Sequence, residues 1–288
     1  MAGVNKEIWT DILLEGFIPD GAFLGRSRDL SEFVDYNTLH FAEAGADPKV
    51  LVDNSSFPVG TSQRTDTPKE IALKVFDTEN TVVRNIEEIE SSYKKMESVI
   101  RSHRNALYKK CVGFAAHAWA PQANAAATPV WAADGTANKH GYKAVTFDML
   151  YDMAAHFQSE DVPADSLVMV LHPYMLADLY KEDAKMYKDM FATRKLAGFD
   201  WYVSTATAKY NGTSGEKTAY GAEAADTDAV SALFYCDQEV ARAQGDVTMF
   251  YSERSPEQRG DIVGFQQRFI AAPMRGKYIG AIYCPKAE

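Results

Sequence analysis

Apolar residues along this chain keep two rhythms, and the change from one to the other marks out its elements. From Ile89 onward, Tyr93, Met96, Ile100, His103, Leu107, Cys111, Phe114 and Ala118 recur at steps of three and four, the stripe a helix buries along one face. Asn85 with Glu88 three residues on has the form of a capping box, Ser91 or Ser92 offers a later start, and Pro121 forbids continuation. About 30 residues at ~1.5 Å each give a rod of about 45 Å, long enough to serve as a spine.

Before that helix the rhythm is two. Thr38-Leu-His-Phe and Lys49-Val-Leu-Val are strand-like, and from Glu70 to Phe76 the residues Ile71, Leu73 and Val75 alternate with Glu70, Ala72 and Lys74. Polar, turn-rich stretches separate them, Asp53-Asn-Ser-Ser and Gly60 to Pro68. A ribbon of about 14 extended residues reaches about 45 Å, an excursion that a compact domain seldom carries without use. Ahead of it, residues 1–35 read as an arm. There Ile8, Trp9, Ile12, Leu13 and Leu14 form at most a short amphipathic stretch, which Gly16, Pro19, Gly21 and Gly25 interrupt.

After the helix, residues 119–146 read as a loop. A helix near Thr146 to Phe157 follows, then a short buried strand from Asp165 to Leu171 closed by His172-Pro173. Met175 to about Phe191 reads as one helix, Gly198 as a turn, and Trp201-Tyr-Val-Ser as a strand. Lys209 to Asp228 reads as a mobile surface loop. Ala229 to Cys236, Asp261 to Ala271 and Lys277 to Tyr283 are further strands, with Pro273 and Gly276 between the last two.

Composition narrows the classes. The 288 residues are 46% hydrophobic and 24% charged, which suits a large folded core. Cys111, Cys236 and Cys284 are odd in number and far apart, so neither a disulfide framework nor a zinc site is implied and a reducing compartment fits. No apolar run reaches the roughly 18 residues of a membrane span, and the chain is expected in the cytosol when made. A net charge of −10 argues against a nucleic-acid binder. The small basic spots, Arg26-Ser-Arg28 and Lys94-Lys95 through Arg101, His103 and Arg104, read as solvated faces.

No catalytic set emerges. His103 and His117 are fourteen residues apart, no His-Glu-x-x-His occurs, and His172 at a strand end reads as structural. Gly-x-Ser-x-Gly, Gly-x-x-x-x-Gly-Lys-Ser/Thr and Gly-x-Gly-x-x-Gly are all missing from the sequence. Asp148, Asp152, Asp178, Glu182 and Asp183 have the spacing of exposed helix faces rather than of a paired-carboxylate site, and Asp261 suits a local role in a turn. The reading is no enzyme: no catalytic, cofactor-binding or metal-binding residue is assigned.

The order of these segments resembles the major capsid protein of tailed bacteriophages, the Hong Kong 97-type fold. The likeness rests on Gly25-Arg-Ser-Arg-Asp-Leu, the ribbon from Asn37 to Val83, its exit Thr78-Glu-Asn-Thr-Val-Val-Arg-Asn, and the helix from Tyr93. It continues through Val162-Pro-Ala-Asp, Val-Met-Val-Leu-His-Pro, Leu196-Ala-Gly-Phe, Ala241-Arg-Ala-Gln-Gly, Gly260-Asp-Ile-Val-Gly-Phe and Lys277-Tyr-Ile-Gly. It implies an α+β subunit with an N-terminal arm at residues 1–35 and an extended loop (E-loop) at 36–83. A peripheral domain with the spine helix would hold 84–164 and 256–288, and an axial domain 165–255. It implies self-assembly into pentamers and hexamers, a shell enclosing double-stranded DNA without sequence-specific binding, and assembly in the bacterial host cytoplasm into a virion capsid. Portal and decoration proteins are implied partners. Because the arm begins almost at Met1, a separate scaffolding protein or none is expected. Some relatives crosslink Lys to Asn beside a Glu; Lys49 and Lys69 lie in the ribbon, but the three partners are not matched and that activity is not carried over. The alternative is an encapsulin-type nanocompartment shell around a cargo enzyme, whose relatives usually have a shorter ribbon.

Overall fold

The computed structural model describes residues 23–35, 38–43, 49–55, 57–61, 63, 67–84 and 88–287. The apolar arm residues Ile8 to Leu14 and the capping position Asn85 lie outside them. Two short strands, β1 (Arg28–Asp29) and β2 (Val34–Asp35), lead into a ribbon whose two long edges are β3 (Thr38–Glu43) and β4 (Thr67–Ala72). These edges pair antiparallel from Thr38↔Ala72 to Glu43↔Thr67. The chain then continues through β5 (Lys74–Asp77) and β6 (Thr81–Arg84) into the spine helix α1 (Glu88–Trp119).

The stripe anticipated on α1 is buried from Met96 through Ile100, His103, Leu107 and Cys111 to Phe114, whereas Ala118 is only partly covered. Two corrections apply to the ribbon. Residues 49–51 form no strand, and Val50, Leu51 and Val52 are exposed. The alternation from Ile71 to Val75 also changes face at Leu73, which is buried with Ala243 and Ile270 while Val75 is half-exposed. The reason is a change of sheet: β4 belongs to the ribbon, and β5 pairs with a strand of the body.

Beyond α1 come β7 (Val130–Ala132), α2 (Phe147–Ser159), β8 (Leu167–Leu171), α3 (Pro173–Glu182) and α4 (Ala184–Thr193). The stretch read as one helix from Met175 is thus two. Asp183 breaks it by accepting hydrogen bonds from the amides of Lys185 (2.8 Å) and Met186 (3.1 Å), which opens a second helix with its own N-cap. Next follow β9 (Lys195–Leu196), β10 (Phe199–Val203), β11 (Tyr210–Asn211) and β12 (Asp228–Cys236). The chain ends in a long hairpin, β13 (Val240–Ser255) with β14 (Gly260–Pro273), and β15 (Ile279–Cys284).

The strands form two body sheets besides the ribbon. One has the order β7-β15-β12-β8-β10-β9, with β11 beside β12; the other runs β1-β13-β14-β5, with β6 also on β14. In the first, β8 is apolar at every position because both faces are covered. Val168 and Val170 face the spine helix with Leu233 and Tyr235, while Leu167, Met169 and Leu171 face the helices α2 to α4 with Phe234. Gly280 of β15 lies where a Cβ would come within 3.1 Å of Met153 Sδ, so the close approach of α2 to this sheet needs a glycine there.

The sheets divide the chain differently from the sequence order. β13 lies in the hairpin sheet under α1 rather than with the residues 165–235, and β15 completes the seven-stranded sheet. Hydrogen-bond pairing decides this: Val240–Ser255 runs antiparallel to Gly260–Pro273 for almost its whole length. Spine helix α1 spans both sheets. Met96, Ile100 and Leu107 pack on Val247, Met249, Val263 and Phe265, and Cys111 to Trp119 belong to a core to which both sheets contribute.

Leu107→Ala should therefore cost about 3 kcal/mol through the cavity it leaves beside Phe265. Denaturant unfolding would measure it, and a loss well under 1 kcal/mol would show that the helix is not held by this face.

Candidate functional site: assembly surfaces

The candidate histidines and cysteines lie in largely buried surroundings. His172 caps α3, its Nδ1 accepting from the Tyr174 amide at 3.3 Å. His117 places Nε2 2.7 Å from the Thr218 carbonyl, and burial lowers its pKa, as it does that of His172. His103 is buried against Phe265, ring centroids 5.4 Å apart, and desolvation lowers its pKa. Burial pushes the thiols of Cys111 and Cys284 up to about 12, far from the thiolate range at neutral pH. Among the described residues no group of three His, Cys, Asp or Glu side chains is placed to hold a metal ion.

The carboxylates read as exposed helix faces are not all exposed. Asp148 and Asp152 are, but Asp178 is buried and accepts from Asn138 Nδ2 at 2.8 Å. Glu182 Oε2 accepts from the Phe147 amide at 2.9 Å and so ties α3 to the first turn of α2. Desolvation raises its pKa, opposed by that amide and reinforced by Asp148 and Asp183. Asp261 does have the local role expected of it, accepting from Tyr251 Oη (2.6 Å) and the Arg254 amide (2.7 Å) near the tip of the long hairpin.

Arg26 corrects the reading of a solvated basic spot. Its guanidinium reaches Asp200 at 2.8 Å, Asp237 at 3.1 Å and the Asp165 carbonyl at 2.8 Å, so the root of the arm is clamped onto the seven-stranded sheet. Residues 209–228 are likewise no free loop. Lys217 donates Nζ to the carbonyls of His117 and Ala120 at the end of α1, and Tyr220 Oη donates to the Lys110 carbonyl at 3.0 Å. Desolvation lowers the Lys217 pKa to about 8. The strap thereby satisfies carbonyls that the last turn of a helix leaves open.

Exposed apolar side chains occur in several parts of the chain, and one group of them lies together in sequence on the ribbon. Val50, Leu51, Val52, Phe57 and Val59 are all exposed, Val50 at 86% and Phe57 at 79%. At the ribbon's root an open groove of about 450 Å³ lies between the Phe76–Thr81 turn and α1, lined by His103, Ala106 and Leu107 among others. Among the described residues no side chain fills this groove, and exposed apolar patches of this kind mark interaction surfaces in general.

No protein-family model matches the chain, and the search of curated proteins returns no match. Solved structures do match over nearly the whole length. The capsid of Ralstonia phage GP4 aligns at a TM-score of 0.66 and 9% identity, covering 96% of this chain and 91% of that one. The capsid of Cyanophage P-SCSP1u aligns at 0.64 and 17% identity, with 90% and 86% covered. The fold is that of a phage capsid protein. The virus-like particle from Pyrococcus furiosus shares it at a TM-score of 0.61 and 11% identity, with 96% and 99% covered. The capsid fold is α+β and Hong Kong 97-like, as the segment order led us to expect.

Within this capsid fold, two features had no sequence signal. The Arg26 clamp joins residues far apart in the chain, and the strap on α1 depends on Lys217 turning inward. The tip of the ribbon did carry one, since Val50-Leu-Val is a poor sequence for a solvent-facing loop.

Free histidine titrates near 6.5, and His103 titrates below that in the folded chain. The unfolded chain thus binds the proton first, so stability is full above about 6.5 and falls as the pH drops toward 5. His103→Leu should flatten that fall in melting temperature between pH 7 and 5. An unchanged slope would assign the acid sensitivity to other groups.

Proposed function

We propose that this protein is the major structural subunit of a phage-type icosahedral shell, assembling with copies of itself into pentamers and hexamers around double-stranded DNA. The observation that carries the reading is the exposed apolar tip of the ribbon on a chain that otherwise has a complete core. Burying five such side chains stabilises contact by on the order of 10 kcal/mol per subunit, before the cost of association. The ribbon tip of one copy seated on another copy would be a heterologous contact, which makes rings when its rotation closes. In this reading α1 with the β13–β14 hairpin and the ribbon root is the peripheral part. The seven-stranded sheet with α2 to α4 is the axial part, with the strap near a capsomer axis.

The role is structural and not enzymatic. The net charge of −10 supports a wall that does not condense DNA by releasing counterions, so the genome is held by enclosure and not by sequence-specific binding. Scaffold, portal and decoration proteins are partners that this reading includes, and the site of action is the virion after assembly in the host cytoplasm. The Pyrococcus furiosus virus-like particle has the same fold, so a shell with a different content is the second reading. Nuclease-protected DNA inside particles from infected cells supports the first, and an enclosed protein supports the second.

Electron microscopy of the expressed full chain, alone and with a scaffold, should show rings or closed shells. A strictly monomeric species under every condition would overturn the proposal. Val50→Asp with Val52→Asp should leave the circular dichroism spectrum unchanged and reduce particle yield at least tenfold. Normal particles from that double variant would mean that the ribbon tip is not the contact.

A further inference from the structure

Three segments remote in sequence meet around a small cavity: Asp29 and Ser31 from the root of the arm, Cys111 from α1, and Arg242, Gln244 and Gln267 from the long hairpin. Strand β1 runs parallel to β13 here, with Asp29 opposite Arg242, and the Ser31 hydroxyl accepts from the Gln244 amide at 2.9 Å. Gln267 is wholly buried, and its Oε1 accepts from the Cys111 thiol at 3.3 Å. Its Nε2 has no protein partner among the described residues. Arg242 donates Nη2 to Asp29 at 3.2 Å, but its Nε is shielded from solvent and also lacks one. Two buried donors on the lining of one cavity are a rare combination, because such groups are almost always satisfied.

We infer that this cavity is a binding site for a bound water molecule, which accepts from Gln267 Nε2 and Arg242 Nε and so completes the seam joining arm, spine helix and hairpin. The cavity offers about 30 Å³, above the roughly 10–15 Å³ that one buried water requires. Its electrostatics select a neutral guest. The Arg242 charge is already matched by Asp29, so a halide or other anion finds no net positive charge to offset its dehydration. The two free N–H groups repel a cation. Asp29 and Gln244 are also lining residues, and a carboxylate and an amide carbonyl are the acceptor types that the water's own hydrogens require.

The inference is independent of what the protein assembles into. A density map of the full chain at about 2 Å, from whatever particle or crystal it forms, should show a solvent peak within hydrogen-bond distance of both Gln267 Nε2 and Arg242 Nε. An empty site, or either nitrogen turned onto a protein oxygen, overturns it. Melting in chloride and in gluconate at equal ionic strength should give the same midpoint, and a rise specific to chloride would mean an anion and overturn it too. Gln267→Met keeps the length of the side chain without its polar atoms, and should lower the melting temperature by roughly 2–8 °C. An unchanged midpoint would show that the amide holds nothing.

Discussion

One face of one helix has to be covered by two different sheets. Spine helix α1 buries Met96, Ile100 and Leu107 on the long hairpin and Cys111 to Trp119 in a core where the hairpin meets the seven-stranded sheet. The 32 residues of this helix extend about 48 Å at ~1.5 Å each, and residues of both sheets contribute to covering them. The relative position of the two sheets follows from this shared rod. Polar contacts then fix it: Trp119 Nε1 donates to the Ala241 carbonyl at 3.1 Å, and Tyr235 Oη to the Phe23 carbonyl at 2.9 Å, each linking parts that the apolar contacts merely bring together.

The titratable groups follow the same logic. Asp183, Glu182, His172 and Lys217 sit at helix ends, where backbone amides or carbonyls would otherwise be unpaired. Arg26 and its aspartates hold the root of the arm. Charge that an enzyme would gather into a cleft is distributed over junctions. Apolar surface, by contrast, is left open at the ribbon tip, and contact with another copy is the natural way to cover it.

How far the sequence revealed this depended on whether the cause was local. The stripe on α1 and the fully apolar β8 were plain, because periodicity and burial on both faces act residue by residue. Strand β13 was missed: Gly245-Asp246 has the look of a turn, yet it forms a bulge between Gln244 and Val247 within a continuous strand. Past it, Val247, Met249 and Tyr251 alternate as a strand should, a signal that was available. The break at Asp183 could not be read from periodicity, since α3 and α4 keep apolar residues at helical spacing on both sides. As for the site, the exposed Val50-Leu-Val was visible but read as a strand, and the Arg26 clamp required knowing which aspartates the fold brings near.

The seven-stranded sheet has a temporal consequence. Its strand β15 lies between β7 and β12, pairing Val130 with Ala281 and Leu233 with the same Ala281. Until residues 279–284 are in place, β12 presents one bare edge and β7 has no partner in the sheet. Contacts this distant in sequence make for slow folding. The subunit's body is thus closed late, by its most remote segment, while the ribbon hairpin rests on neighbours close in sequence and can form early. A chain built this way can expose the apolar tip of its ribbon before its core is finished, so the rate of that closure sets how long an incomplete fold is available for mistaken contacts.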